Sequence, residues 1–178
     1  MSSRIVGLRD DQGYLPIEAY GAIGNGHTMA LVGTDGSIDW CPLPRIDSPS
    51  VFGRILDAHV GGYWQIVPDE PWSASRSYLD DTNVLVTRFE TDNGAVELVD
   101  FMPSIAFGSD FGIAQRLRDG MLIRLIRGVR GTVSMRMELA PRFDYGRDVP
   151  SWEIIPRKGA LICGSRGALR VASTTPLQ

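Results

Sequence analysis

Turn-forming residues divide this chain into segments too short for long helices. Among its 178 residues are 20 glycines and 11 prolines, and the apolar segments between them have the length and alternation of β-strands. Long stretches with helical periodicity are almost absent. The pattern predicts a mainly β, antiparallel architecture in which successive strands are joined by tight turns.

Two pairs of segments are typical β-hairpins. Met29–Gly33 and Ser37–Cys41 flank an Asp-Gly turn, and glycine supplies the positive φ angle that such a turn requires. Asn83–Glu90 and Ala95–Met102 flank a second turn that ends in Asn-Gly. Both pairs are predicted to form antiparallel strands.

The remaining strands are predicted from shorter patterns. Leu122–Arg127 and Val133–Leu139 surround Gly128–Gly131, and the second of them alternates apolar and polar residues throughout. Ser104–Asp119 contains glycine, serine and aspartate and is interpreted as an exposed loop. Further strands are expected at Tyr63–Val67, Glu153–Ile155, Ala160–Cys163 and Leu169–Ala172.

One short helix is expected near residues 49–57. Ser48 is suited to the N-cap and Pro49 to the first helical position. An apolar stripe at helical spacing follows, formed by Val51, Phe52, Ile55 and Leu56. The sequence therefore predicts a short helix packed over a sheet.

Charge and composition exclude several classes of function. The formal net charge of −3 and a pI near 5.4 argue against nucleic acid as a partner, because phosphate binding needs a basic surface. No apolar run approaches the roughly 20 residues of a membrane span, and the N-terminus lacks the apolar core of a signal peptide. We therefore expect a cytoplasmic protein with no membrane partner.

The cysteines and histidines predict no metal site and no cofactor. Cys41 and Cys163 are far apart in a chain without an export signal, so two buried, reduced thiols are favoured over a disulfide. His27 and His59 are the only histidines, and no Cys-x-x-Cys pair accompanies them.

The densest group of polar and aromatic residues predicts a carbohydrate-binding site. It consists of Asn25, His27, Trp40, Arg45 and Asp47. An exposed indole ring stacks on the apolar face of a pyranose, and the polar groups bond its hydroxyls. The alternative is structural, with Trp40 in the core of a hairpin and Arg45 paired locally with Asp47.

Carboxylate pairs are the second candidate for chemistry. Asp39 with Asp47, or Asp100 with Asp144, would be needed for acid and base roles in glycoside hydrolysis. Most aspartates in loops and turns are solvated or capping, so neither pair is favoured. The arginines at 116, 118, 124, 127 and 130 are interpreted as a solvated strand face and turn.

An ordered set of motifs resembles the N-terminal domain of bacterial glycoside hydrolase family 15 proteins, the glucoamylase-like and trehalase-like enzymes. The set covers nearly the whole chain in the expected order. Its parts are Pro16–Glu18 with Tyr20, Ile23–Gly26 with Thr28, Ala30–Val32, Asp35–Trp40, Leu43–Phe52, Gly61-Gly62, Tyr78-Leu79 with Thr82–Leu85, Asp100–Pro103, Arg127–Gly131 and Pro141–Gly146.

The resemblance implies an antiparallel β-sandwich, supersandwich-like, that precedes a catalytic helical barrel in the same polypeptide. In such inverting hydrolases the barrel carries the two catalytic glutamates, and nothing in this sequence resembles it. The resemblance therefore implies that residues 1–178 are a single non-catalytic sandwich domain that ends before its last strands. Such a domain supports the barrel and lends a loop to the rim of its active site.

Two functions remain open from the sequence. The first is the supporting domain of a hydrolase acting on α-glucosidic bonds, either trehalose or α-glucans. The second is a free-standing carbohydrate-binding or interaction module. In both cases the chain alone is expected to be inactive, and an unfinished sheet edge is expected to form a homodimer.

Overall fold

This computed structural model describes residues 9–103, 120–156 and 158–175. The described part of the chain contains thirteen short strands. A three-residue 3₁₀ helix, Ile17–Ala19, precedes them. The strands are Tyr20–Gly24 (β1), Met29–Gly33 (β2), Ser37–Pro42 (β3), Ser50–Phe52 (β4), Tyr63–Pro68 (β5), Trp72–Tyr78 (β6), Leu85–Thr91 (β7), Gly94–Phe101 (β8), Ile123–Gly131 (β9), Met135–Ala140 (β10), Ser151–Ile155 (β11), Gly159–Cys163 (β12) and Ala168–Val171 (β13).

The strands form three antiparallel sheets. The large sheet has the order β1-β2-β3-β5-β10, with β4 paired to β3. A four-stranded sheet has the order β6-β7-β8-β9, and a third sheet has the order β11-β12-β13. Every strand pair is antiparallel, and both predicted hairpins, β2–β3 and β7–β8, are present.

The core lies between the large sheet and the four-stranded sheet. Ile66 of β5 packs in one cluster with Phe89 of β7 and Leu98 of β8. In a second cluster Leu85 of β7 packs with residues of the large sheet that include Phe52. These contacts join the two inner faces, so the expectation of an antiparallel β-sandwich is confirmed.

The helix expected near residues 49–57 is absent. Ser50–Phe52 instead forms strand β4, because Phe52 pairs with Cys41 of β3 and its side chain is buried in the core. Residues 53–57 make one turn only, in which the amide of Asp57 donates to the carbonyl of Gly53 at 3.3 Å. Leu56, which the helical stripe would have buried, is 61% exposed. Strand pairing therefore overrides the local helical pattern.

The segments on either side of Gly128–Gly131 do not form a hairpin. Strand β9 continues through this stretch and pairs with β8, whereas β10 crosses to the large sheet and pairs with β5. The predicted Ser104–Asp119 loop, with Arg116 and Arg118, lies outside the described residues. The strands predicted near residues 153–155, 160–163 and 169–172 are present as β11, β12 and β13.

The two cysteines are free thiols in different environments. Cys41 is buried in the core, and burial raises its pKa to about 12. Cys163 is exposed, so the expectation of a second buried thiol is wrong. Among the described residues, no helix has the length and hydropathy needed to cross a membrane.

Candidate functional site

The β1–β2 turn and the loop after β3 lie side by side at one end of the large sheet. The Asn25 side-chain oxygen accepts hydrogen bonds from the amides of His27 (3.0 Å) and Thr28 (3.1 Å), which fixes the turn. The amide of Ile46 donates to the carbonyl of His27 at 2.8 Å, and the Thr28 hydroxyl donates to the carbonyl of Pro42. The structure thus brings together Asn25 and His27 with the loop that carries Arg45 and Asp47.

Arg45 and Asp47 form an ion pair in solvent. Arg45 Nε lies 2.9 Å from Asp47 Oδ1 and Nη2 lies 3.3 Å from Oδ2, while the two side chains are 70% and 66% exposed. The hydrogen bond from Arg45 lowers the pKa of the Asp47 carboxyl. Exposed pairs of this kind contribute little to stability. Both groups are therefore available to a partner at small energetic cost.

A β-bulge directs Trp40 away from the core. Val32 pairs with Ile38 and Leu31 pairs with Trp40, so Asp39 is an extra residue in β3. The bulge reverses the alternation of inward and outward side chains along β3. Ile38 and Cys41, which are three residues apart, are therefore both fully buried in the core. Trp40 consequently lies half-buried on the outer face of the large sheet, and the alternative of a core tryptophan is wrong.

Tyr145 is a candidate site residue that sequence reasoning missed. Its ring stacks on Trp40 with centroids 6.2 Å apart and an interplanar angle of 29°, and the residue is 43% exposed. Asp144, Tyr145 and Gly146 have φ angles of 51°, 58° and 89°. Two successive non-glycine residues in the left-handed region are strained, and such strain is concentrated at functional sites. Asp144 and Gly146, which adopt left-handed conformations more readily than most residues, were the sequence signals for this turn.

Asp39, next to Trp40, is the centre of a buried polar cluster. Its Oδ1 accepts from Arg54 Nε at 2.9 Å, and its Oδ2 accepts from Arg9 Nη2 at 2.8 Å and from the Tyr20 hydroxyl at 2.7 Å. Arg54 also lies over the Tyr63 ring, 3.5 Å from its centroid. These contacts hold the outer face of the sheet against the preceding segment and the turn after β4.

The ionisation of Asp39 follows from these contacts. Burial alone would raise the pKa of its carboxyl, but the positive charges of Arg54 and Arg9 and the Tyr20 hydrogen bond outweigh burial and lower it. Burial, together with the same carboxylate, raises the pKa of the Tyr20 hydroxyl. Asp39 is therefore a charged anchor at any pH above its lowered pKa.

We expect acid to weaken the fold through Asp39. Its pKa in the folded state lies below the ordinary value of 3.8, so between these two values the unfolded chain binds more protons. The stabilisation is complete above the unfolded pKa and is lost as the pH falls through the folded pKa. Urea unfolding from pH 6 to pH 2.5 measures this loss.

The matched comparison is Asp39→Asn against Asp47→Asn. Asp39→Asn should reduce the slope of the unfolding free energy against pH on the acid side by at most about 1.4 kcal/mol per pH unit. Asp47→Asn, at an exposed residue, should reduce this slope less. Equal slopes for wild type and Asp39→Asn would contradict the assignment.

The carboxylate pairs considered from sequence are not arranged for hydrolysis. Asp100 is fully buried and bonded to Arg124, with Nε–Oδ1 and Nη2–Oδ2 distances of 2.8 and 3.2 Å. Asp39 is equally enclosed, so neither carboxylate can exchange protons with a substrate. The arginines likewise do not form one solvated face, because the Arg124 side chain is fully buried. Among the described residues no group of acidic, histidine or cysteine side chains could hold a metal ion.

Comparisons with known proteins match this chain to trehalases and to a trehalase-like domain family. A family model described as trehalase-like, N-terminal, matches residues 10–173. A trehalase of Thermoplasma volcanium is 32% identical over 171 residues, which cover 94% of this chain and 26% of the relative. Trehalase 1 of Sulfolobus acidocaldarius is 39% identical over 144 residues, which cover 81% of this chain and 22% of the relative.

A third relative is covered to a similar extent. A trehalase of Mycolicibacterium smegmatis is 34% identical over 154 residues, which cover 78% of this chain and 22% of the relative. The chain thus spans about a quarter of the length of the curated relatives it matches. No solved structure matches the chain.

Proposed function

Because this chain belongs to the family of trehalase-like N-terminal domains, we propose that it is the non-catalytic β-sandwich of a glycoside hydrolase acting on α-glucosidic bonds. The observation that carries the proposal is the state of its buried carboxylates. Asp39 and Asp100 are each bonded to arginine within the fold, so they organise the domain and leave catalysis to another part of the polypeptide. The resemblance to glycoside hydrolase family 15 implies that this other part is a helical barrel.

We propose trehalose as the first substrate to test, since the relatives described above are named trehalases. A glucoamylase-like activity on α-glucans is the alternative. The pocket of the catalytic part determines which of these substrates is bound, so the assay must use the full-length protein. Glucose release from trehalose, maltose and soluble starch distinguishes these substrates.

We further propose that the Trp40 end of the large sheet docks against the catalytic part and contributes to the rim of its active site. This end has the Asn25–His27 turn, the exposed Arg45–Asp47 pair and the stacked rings of Trp40 and Tyr145. Such groups can bond sugar hydroxyls or stack on a pyranose. They lie on or beside the outer face of the sandwich, where they contribute little to its core.

The test is Arg45→Ala in the full-length protein. Removing a rim contact should lower kcat/KM about tenfold, while the thermal midpoint should change by no more than about 2 °C because the Arg45 pair is exposed. Arg127→Ala is the matched control: this arginine is also exposed and ion-paired, to Glu97 on the four-stranded sheet, and should leave both quantities unchanged. The 178-residue chain alone should show no turnover.

Two outcomes would contradict the proposal. Proportionate losses of activity and stability in Arg45→Ala would assign the residue a structural role only. Turnover by the isolated chain, abolished by a change at Asp39, Asp47 or Asp144, would make this domain catalytic.

The second candidate function is a free-standing carbohydrate-binding module. The Trp40–Tyr145 stack favours it, since sugar-binding surfaces use exposed aromatic rings. Binding of trehalose or maltose to the isolated chain, lost in Tyr145→Ala and retained in the exposed control Trp152→Ala, would support this reading. A reading frame that continues for several hundred codons would instead support the first proposal, the non-catalytic domain of a hydrolase.

A further inference from the structure

Tyr78 and the β6–β7 turn, residues 79–84, bond to a strand of the other sheet. The Tyr78 hydroxyl donates to the carbonyl of Ala22 in β1 at 2.7 Å and accepts from the amide of the same residue at 3.0 Å. The Asn83 side-chain amide donates to the carbonyl of Gly24, at the end of β1, at 3.0 Å. Two polar side chains of the four-stranded sheet and its turn are therefore attached to the backbone of the large sheet.

These hydrogen bonds occupy the outward side of an edge strand. In the described part of the chain β1 is at the edge of the large sheet and pairs with β2. Alternate residues of an antiparallel edge strand direct their amide and carbonyl groups away from the neighbouring strand. Ala22 and Gly24 are two such alternate residues. Tyr78 and Asn83 therefore bond main-chain groups that β2 cannot reach.

The β1–β2 turn of the candidate site is consequently held from two sides. On one side, the loop after β3 donates a backbone hydrogen bond to the carbonyl of His27. On the other side, Asn83 bonds to Gly24, the residue directly before Asn25. The Asn25 side chain itself accepts from two amides of the turn. The side chain that this turn presents to solvent is that of His27, an exposed residue.

The exposure of these contacts limits their contribution to stability. Tyr78 is 44% exposed and Asn83 is also exposed. A hydrogen bond that water can replace contributes little net free energy to folding. A displacement of about 1 Å at a group that binds substrate can, by contrast, cost about 100-fold in activity. The contacts of Tyr78 and Asn83 are therefore better suited to fixing a position than to stabilising the fold.

We propose that Tyr78 and Asn83 are positioning residues that hold His27 at the candidate site, which makes the β6–β7 turn a third loop of that site. The inference rests on the proposed function, in which this end of the domain lies at the rim of the active site. Neither Tyr78 nor Asn83 has to touch the substrate, because both act through the backbone of β1. The group that His27 would meet there is a sugar hydroxyl, to which an imidazole can donate or from which it can accept.

Hydrogen exchange in the full-length protein tests the position of the turn without reference to activity. Asn83→Ala and Tyr78→Phe should each make the amides of His27 and Thr28 exchange about tenfold faster. Tyr78→Phe keeps the ring and removes only the hydroxyl, so it provides a second variant with a minimal change in packing. The thermal midpoint should fall by no more than about 2 °C in either variant.

Asn93→Ala is the matched control. Asn93 is also an exposed asparagine in a turn, and its side-chain amide donates to Glu70. Its turn joins β7 to β8 and therefore lies at the opposite end of the four-stranded sheet from the β6–β7 turn. Asn93→Ala should leave the exchange of the His27 and Thr28 amides unchanged.

Kinetics of the full-length protein distinguish positioning from a structural role. Asn83→Ala should raise KM about fivefold and change kcat less than about twofold, because a rim contact binds the substrate and the transition state alike. In a His27→Ala background the same substitution should have little further effect on KM, since the side chain that Asn83 positions is then absent. A purely structural role would give the same factor in both backgrounds.

The two measurements fail in distinguishable ways. Unchanged exchange in both Asn83→Ala and Tyr78→Phe would overturn the proposal. So would an undiminished effect of Asn83→Ala on KM in the His27→Ala background, or equal exchange in Asn83→Ala and Asn93→Ala. The proposed function fails differently, when His27→Ala and Arg45→Ala both leave the kinetics unchanged. In that case exchange alone decides whether Tyr78 and Asn83 hold the turn.

Discussion

Replacing Arg124 with alanine is expected to be among the most destabilising single changes in this domain. Its guanidinium is fully buried, pairs with Asp100, and donates to the carbonyls of Trp64 (2.8 Å) and Gly36 (2.7 Å). One side chain thus ties β9 to β8 and to the large sheet. Its removal leaves the Asp100 carboxylate unpaired in the core, which costs about 3–5 kcal/mol. Urea unfolding of wild type and variant measures the difference.

Arg127→Ala is the control on the same strand. Arg127 also pairs with an acidic residue of β8, but its side chain is 66% exposed, so its loss should cost less than about 1 kcal/mol. The double variant Arg124→Met with Asp100→Leu should recover much of the stability, because it removes the unpaired charge. Similar costs for Arg124→Ala and Arg127→Ala would contradict this account of the buried pair.

Replacing Gly36 with alanine is expected to cost roughly 3 kcal/mol or more. Gly36 has a φ angle of 73°, and a Cβ atom there would lie 2.1 Å from the carbonyl oxygen of Ile66. That oxygen belongs to β5, so it cannot move without disturbing the sheet. The turn must therefore either distort or separate from β5, and chemical denaturation measures the cost.

Gly26→Ala separates the steric contribution from the backbone contribution. Gly26 has a comparable φ of 84°, but a Cβ atom there would meet nothing within 4 Å. Only the strain of a left-handed alanine remains, about 1 kcal/mol. If the two substitutions cost the same, the close approach to Ile66 has no energetic consequence.

The local signals were sufficient for most of the strands. The Asp35-Gly36 turn and the alternation of Val133 to Leu139 depend on steric preferences of neighbouring residues, which operate in any context. The candidate site was found in part for the same reason: Asn25 forms a side-chain-to-backbone turn, and Arg45 pairs with a residue two positions away. The structure places the β1–β2 turn next to the loop after β3, as a single site formed by Asn25, His27, Arg45 and Asp47 requires.

The errors occurred where distant residues determine the outcome. Val51 and Phe52 fit a helix by spacing, but pairing with β3 and burial in the core make them a strand. The orientation of Trp40 depends on the bulge at Asp39, and Asp39 in turn is held by Arg54 and Arg9. The partners of Arg124 are 24 to 88 residues away in sequence, so no local pattern distinguishes it from the exposed arginines of the same strand.

By itself, therefore, the sequence determined the mainly antiparallel β class, the two tight hairpins and the family resemblance, since each depends on neighbouring residues or on an ordered set of motifs. Only the tertiary structure decided which polar groups are structural and which are available. Asp39, Asp100 and Arg124 are enclosed in ion pairs, whereas Arg45, Asp47 and Tyr145 are accessible to a partner. The physical reason is that burial, which depends on the whole fold, makes a charge either an anchor that must stay paired or a group that remains available to another molecule.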